Sequence, residues 1–564
     1  MRRRVWVLFV LALAGCGSTQ AAERRLTLVT MNDFHGALYE LADPKDPLRA
    51  YGGLPWLAGA ITVLRQEAPD LVLLDGGDSF QGSWPVNATR GRGAVEALEL
   101  LGVDASAIGN HEFDYGGVEG GHPLRGALEA AARDARFLWL TANVHDDAGA
   151  RWQPEGVRPW ALIERGGVKV GLIGLSTTET PTTTRPELVA GLRFADPVDT
   201  VRRLAPEVRA AGAEVLVVIG HLTGECHASG APCVPDGEIG RLLRELPEGT
   251  IDVIVSGHAH TLMATRVGRT FVAQAWAQGR ALVRVDLVLG KSGVDPERSR
   301  IEPPWILTHD RVDPGCDGGD FPLAARQVGG RPVTPSADAL ALIRRLESTA
   351  GSLCDQVACA TAPLVRNRTG ESAVGDLMAD ALRGAFPDAD VAVQNSGGLR
   401  ADIPSGIIRR SHVHDVMPFD NRAVLVEMSG EKLALMLRIG TSGAHGVLQV
   451  SGARYSYDPG RSGGSDIDGD GVVADWETDR LCDVTVGGAP LDPARLYRVV
   501  VADFLMSGGD HMGPPLSGAR VVEEGAMLRE LLEVHLRQPT TCFDPASLLD
   551  PAAPRISATC GALP

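Results

Sequence analysis

Between residues 26 and 290 the chain repeats one pattern, a short unbroken apolar run that stops at a small cluster of polar residues. The runs are LTLVTMND, DLVLLDGGD, RFLWLTANV, VKVGLIGLS, EVLVVIGHL and DVIVSGHAH. A strand that is apolar at every position, rather than at alternate ones, is buried on both faces. Stretches with helical periodicity, such as GAVEALELLG and PVDTVRRLAPEVRAAG, lie between the runs. Continuous strands alternating with helices specify a layered α/β domain with covered sheets.

The 564 residues exceed what one hydrophobic core usually serves, so more than one domain is expected. Residues 291–335 are rich in Pro, Gly and Asp and read as a connection. SADALALIRRLESTAG then reads as a helix leading into a second domain. The expected division is 24–325, a linker with its helix at 326–350, and 351–564. An apolar fraction of 44% with 22% charged residues is that of a globular protein. The net charge of −17 excludes an extended basic face, and with it a nucleic-acid partner. A small anion is still admissible, because a local cation overrides the global sign.

The first residues, MRRRVWVLFVLALAGCGSTQAAE, place three arginines before an apolar run too short to span a membrane. They read as an export signal over 1–22. LAGC resembles a bacterial lipoprotein box, which makes Cys16 the lipidated first residue of the mature chain. The alternative is cleavage near TQAAE and a free soluble protein. The expectation is an outer-membrane lipoprotein facing the periplasm or the cell surface, otherwise a periplasmic protein, with a lipid anchor as its only membrane contact. Setting Cys16 aside, eight of the nine cysteines remain, an even number that favours disulfides in an exported protein. Cys226 with Cys233, and Cys354 with Cys359, are close enough in sequence to staple local loops. No CxxC spacing points to a structural zinc site.

The polar clusters carry the chemistry. Asp33 and His35 end one run, Asp78 another, Asn110, His111 and Asp114 a third, His221 a fourth, and His258 and His260 a fifth. In open α/β sheets ligands bind beyond the carboxyl ends of the strands, and all of these residues sit there. Oxygen and imidazole donors gathered at one end make a metal site, and that mixture suits Zn, Mn or Co better than Ca. A close pair of such cations would neutralise an anionic ligand and acidify a bound water. Only a carboxylate has the two oxygens needed to bridge them.

In order, NDFHG, GDSFQGS, GNHEFDYG, GHLT and GHAHT resemble the calcineurin-like metallophosphoesterases, and more narrowly the bacterial 5′-nucleotidase/UDP-sugar hydrolase family. The resemblance covers nearly the whole mature chain. It implies an α/β/β/α sandwich followed by an α/β nucleotide-binding domain. It implies that Asp33, His35, Asp78 and His260 hold one metal and Asp78, Asn110, His221 and His258 the other. His111 would face substrate, oriented by Asp114, with Glu112 and Tyr115 structural. In the second domain RNRTGESAVGDLMADAL, VQNSGGLRADIPSG, MPFDNR and FLMSGGDHMG resemble the same family. Matching positions make Arg368, Asn395 and Arg400 polar contacts, Phe419 and Phe504 a sandwich for a base, and Asp510 an acceptor for a ribose hydroxyl. His511 departs from the family, which has a small or amide residue there. His227, His412 and His414 match no ligand position and are expected on the surface. The family is known for domain rotation, which places a hinge near 335–355.

SDIDGDGVVADWET is an insertion relative to that family. Asp466, Asp468, Asp470, Gly471 and Glu477 fit D-x-[DN]-x-[DN]-G-x5-E, the calcium-loop pattern. Val472 would give its carbonyl and Val473 would be the apolar anchor. The flanks are not helical, so a lone structural Ca2+ loop over 466–477 is expected. The leading function is release of phosphate from nucleoside 5′-monophosphates or related nucleotides outside the cytoplasm, for salvage. A second reading is a hydrolase on the same scaffold acting on UDP-sugars, 2′,3′-cyclic nucleotides or a thiosulfonate ester. A third is a non-catalytic nucleotide-binding lipoprotein, which the complete donor set and the His111–Asp114 pair argue against.

Overall fold

A computed structural model of the protein describes residues 24–561 apart from 44, 119–121, 227–232, 292, 313–320, 322, 351–352, 420, 468, 470, 475–476 and 539–540. The export signal, Cys16, His227, Asp468 and Asp470 therefore lie outside the described residues.

The apolar runs form two sheets packed face to face. In the first sheet Arg24–Met31, Val72–Asp75, Ala105–Ala107 and Leu138–Leu140 run parallel, with Ala281–Gly290 antiparallel beside Arg24–Met31. The second sheet carries Val168–Ser176, Val215–His221, Val253–Ser256 and Thr270–Ala275 in parallel, with an antiparallel strand at each edge. Side chains alternate across each strand. Leu28, Val72 and Leu74 meet Val170, Leu172, Val215, Val217 and Val253 between the sheets. Val29, Met31 and Leu73 point outward, into a core with the helices Leu54–Glu67 and Arg92–Leu101. On the far side Ile173, Leu216, Val218 and Ile254 pack with Pro197–Ala210 and Gly237–Glu245. The result is an α/β/β/α sandwich whose parallel strands all end at one edge.

Helix starts follow local chemistry. Pro197–Ala210 begins with Pro, and Asp196 accepts from the Asp199 N–H. The segment expected as a linker forms the hairpin Arg326–Val328/Arg331–Val333 and the helix Ala337–Ala350. Ala339, Leu342, Ile343 and Leu346 of that helix belong to the outer core of the first domain.

The second domain is a five-stranded sheet in the order Leu448–Ser451, Val391–Asn395, Leu496–Ala502, Arg422–Ser429, Arg520–Met527. Val391–Asn395 and Leu496–Ala502 are its parallel pair. The helix Ala373–Ala385, capped by Ser372, covers one face. Among the described residues no helix is long and apolar enough to cross a membrane.

Cys226–Cys233 forms as expected. Cys354–Cys359 does not. Cys359 bonds Cys542, with Cα atoms 4.5 Å apart, and Cys354 is disulfide-bonded elsewhere. The reason is geometric, because Cys359 lies in the strand Gln356–Ala360. An extended chain rises about 3.3 Å per residue, so five residues carry the two cysteines beyond disulfide reach. Cys482 bonds Cys560.

Cys359–Cys542 closes a loop with a sequence separation of 183, against 7 for Cys226–Cys233. Chain entropy then makes the long-range bond worth about 3 kcal/mol more. Replacing both of its cysteines by serine should lower the thermal midpoint more than the same change at Cys226 and Cys233. Differential scanning calorimetry of the two double variants checks the order.

Candidate metal centre and the clamp facing it

At the shared edge the strand ends deliver the candidate ligands. Asp33 and His35 follow Arg24–Met31, Asp78 follows Val72–Asp75, Asn110 follows Ala105–Ala107, His221 ends its strand, and His258 and His260 follow Val253–Ser256. Asp33, His35 and His260 converge in one group and Asp78, His221 and His258 in another, with His35, Asp78 and His111 between them. The His221 Nε2 lies 3.0 Å from Asp78 Oδ2 and the His260 Nε2 3.2 Å from Asp33 Oδ1. The Nε2 atoms of His35 and His260 are 3.1 Å apart.

Neighbouring carbonyls set the tautomers. His221 Nδ1 faces the Gly76 carbonyl at 3.0 Å, and His35 Nδ1 faces those of Gln81 at 3.1 Å and Phe80 at 3.3 Å. Each Nε2 lone pair is thereby turned inward. The amide of Asn110 donates to the Thr183 carbonyl at 3.2 Å, while its oxygen is buried and accepts no hydrogen bond among the described residues. Burial opposes charge at Asp33, but His260 and then His221 outweigh it and hold the carboxyl at about 2. Burial likewise opposes charge at His221, and Asp78 and Asp33 outweigh it, raising the imidazole to about 10. A centre that holds a proton so firmly has a strongly negative field, which cations satisfy. The inward lone pairs, the orphan Asn110 oxygen and this field all fit divalent metals.

The backbone at these residues is unusual. Asp33, His35, Asp78, His258 and His260 have φ of 49°, 46°, 57°, 83° and 53°, in the left-handed region. Each costs about 1–3 kcal/mol and persists only where the surroundings fix it. Glu112 does much of that fixing. Its buried carboxylate accepts from the N–H groups of Asp78 at 3.0 Å, Ser79 at 2.7 Å, Phe80 at 3.1 Å and Gly109 at 2.7 Å. Gly109 must be glycine, since a Cβ there would lie 2.2 Å from Asp78 Oδ1.

Beside the centre, His111 Nδ1 lies 2.6 Å from Asp114 Oδ2, and Thr184 Oγ1 donates to the other Asp114 oxygen at 2.7 Å. Burial lowers the His111 pKa, but Asp114 and Asp78 prevail and raise it. The second domain faces this pair directly. The Phe419 ring is 5.9 Å from that of His111, and the Arg400 Nη2 is 3.4 Å from His35 Nε2. Burial, then Arg368 and Arg366, pull the Arg400 guanidinium down to about 10, so cationic groups gather here. Asn395 donates to Asp510 at 2.7 Å, and Phe504 packs against Gly509, where a Cβ would touch its ring. His511 is half-buried, its ring 5.0 Å from that of His445.

Two family models match the chain. One is the calcineurin-like phosphoesterase over residues 26–262, and the other is the 5′-nucleotidase C-terminal domain over 354–516. The chain carries a calcineurin-like phosphoesterase domain followed by a 5′-nucleotidase C-terminal domain. It is 27% identical over 532 residues to a cell wall protein of Listeria monocytogenes, covering 86% of this chain and 63% of that protein's length. It is 25% identical to a 5′-nucleotidase of Vibrio cholerae, covering 93% and 94% of the two chains. A crystal structure of a 5′-nucleotidase precursor from Thermus thermophilus superposes with a TM-score of 0.75 at 25% identity, over 95% and 99% of the two chains.

Some expectations need correction. His414 is buried, not on the surface, and its ring stacks 4.3 Å from Trp84 of the first domain. In the acidic loop Val473 is 53% exposed and not buried as an apolar anchor, because the described residues flanking it form no helix pair to give it a core. Asp466 accepts from the N–H groups of Gly469 and Gly471, and buried Glu477 from those of Ile467 and Ala474. Sequence reasoning did not reach Thr184, Asn87, or Glu179, which lies 3.3 Å from His258. Only closeness in sequence to a ligand motif could have signalled Asn87, which lies in the short helix Trp84–Ala88.

Glu112→Gln keeps the shape but turns an NH2 toward two buried N–H donors. It should destabilise the protein by about 2–4 kcal/mol and weaken metal retention. Denaturant unfolding, with and without added Mn, checks both.

Proposed function

We propose that the chain hydrolyses nucleoside 5′-monophosphates or related nucleotides outside the cytoplasm, releasing nucleoside and phosphate. The observation that carries this reading is the closeness of Arg400 and Phe419 to His35 and His111, which puts a cationic, aromatic surface against the candidate metal centre. In this reading Asp33, His35, Asp78 and His260 hold one cation and Asp78, Asn110, His221 and His258 the other. Two Zn, Mn or Co ions would supply charge neutralisation and an acidified water. His111, oriented by Asp114, steadies charge on the phosphoryl group and the leaving oxygen. Arg368, Asn395 and Arg400 contact the substrate, Phe419 and Phe504 hold the base, and Asp510 accepts from the ribose. Closure about a hinge within 335–355 brings the domains together. Export, with Cys16 as the lipid attachment, places the reaction in the periplasm or at the cell surface.

The test is phosphate release from a panel of nucleotides, UDP-sugars, cyclic nucleotides and a thiosulfonate ester, before and after chelation and after Mn or Zn is restored. Nucleoside monophosphates should be preferred, and chelation should abolish turnover. His111→Ala should lower kcat by about 10²-fold or more with metal content unchanged. Loss of a metal in that variant would reassign His111 to coordination.

We also propose that residues 466–477 bind one Ca2+ through Asp466, Asp468, Asp470, the Val472 carbonyl and Glu477, for structure alone. The convergence of Asp466 and Glu477 on backbone N–H groups of one closed loop supports this. Calcium should raise the thermal midpoint, and Glu477→Gln should remove that gain while Mn- or Zn-dependent hydrolysis continues. A calcium-insensitive wild-type midpoint would reduce the loop to an acidic turn.

A further inference from the structure

Asn87 lies outside every site motif, yet it is buried where the two domains meet. Its Oδ1 accepts from the Gly82 N–H at 3.0 Å and from the Tyr115 hydroxyl at 2.6 Å. The Tyr115 oxygen in turn accepts from the Gln81 N–H at 2.8 Å. Asn87 Nδ2 donates across the interface to the Pro418 carbonyl at 2.7 Å.

Both ends of this chain of hydrogen bonds reach the site. On one side, Phe80–Gly82 is the segment whose carbonyls orient His35. It is pressed so close that a Cβ at Gly82 would lie 1.8 Å from the His35 carbonyl oxygen. On the other side, Pro418 immediately precedes Phe419. The Phe419 carbonyl accepts from Arg529 Nη1 at 2.9 Å, and that guanidinium lies 5.8 Å over the ring of Trp84. Trp84 stacks on His414. The Phe419 loop is therefore seated on residues 84–87 of the first domain, and Asn87 supplies the directed bond. Stacking tolerates sliding, whereas a hydrogen bond fixes register.

We infer that Asn87 is a positioning residue, tying the Pro418–Phe419 loop to the segment that orients His35 and so holding the aromatic clamp in register with the metal centre. The inference rests on the nucleotide reading above, since a clamp matters only for a substrate with a base. A base-free phosphoester needs the centre but not the register. Asn87 should therefore govern how well a nucleotide outcompetes such an ester.

Asn87→Asp separates the two ends. It keeps an acceptor for Gly82 and Tyr115, and sets a second carboxylate oxygen against the Pro418 carbonyl. Relative to wild type, KM for AMP should rise about tenfold, the cost of one good hydrogen bond. kcat for AMP, kcat/KM for p-nitrophenyl phosphate and metal content should move less than about twofold. Amide hydrogen exchange in the peptide containing 413–419 should speed up, while the peptide containing 78–82 keeps its protection. Asn87→Ala, which breaks both ends, should lose activity on both substrates. Equal losses on both substrates in Asn87→Asp, or unchanged KM and exchange, overturn the inference. A wild-type enzyme with no preference for AMP over p-nitrophenyl phosphate overturns the nucleotide reading instead, and hydrogen exchange still decides the role of Asn87.

Discussion

One buried carboxylate organises the edge where the parallel strands end. Four backbone N–H groups from two loops point into the same space, and Glu112 is the acceptor that lets them do so. Without it, Asp78, Ser79 and Phe80 would carry donors with no partner inside the protein, a cost far above that of a lost surface contact. With it, the loop after Val72–Asp75 and the loop after Ala105–Ala107 become one rigid piece. Asp78 then projects between the two groups of histidines, and the Phe80 carbonyl is set to receive His35 Nδ1.

From that piece the dependencies run outward. Phe80–Gly82 orients His35, Tyr115 and Asn87 tie Phe80–Gly82 down, and Asn87 meets Pro418. The second domain does not simply hang beside the first. Its aromatic and arginine side chains reach the histidines, through Phe419 toward His111 and Arg400 toward His35. The layered first domain supplies the rigid edge, and the second supplies the wall that faces it.

Much of this was legible in the sequence, for a physical reason. Strands buried on both faces leave unbroken apolar runs, so the two sheets and the carboxyl-edge position of Asp33, Asp78, Asn110, His221 and His258 could be read directly. Long-range choices left no such trace. Cys359 finds Cys542 only because the strand Gln356–Ala360 passes beside it, and nothing local distinguishes that partner from Cys354. His414 is polar and looks exposed until Trp84 covers it. Val473 matches a position that is apolar in paired calcium loops, but the described residues flanking this loop form no helix pair to bury it. Asn87 sits in the short helix Trp84–Ala88, and nothing local marks it because its partner, the Pro418 carbonyl, is contributed by the other domain.

The left-handed backbone at Asp33, His35, Asp78, His258 and His260 has an evolutionary consequence. At such positions glycine relieves strain that every other side chain bears. Selection for thermal robustness alone would therefore drift toward glycine at the very places where imidazoles and carboxylates are needed. Holding side chains there costs backbone stability, a cost that the metal-binding role proposed for these residues would account for. A descendant freed from that role would show its release first as glycine at these five sites, with both sheets intact.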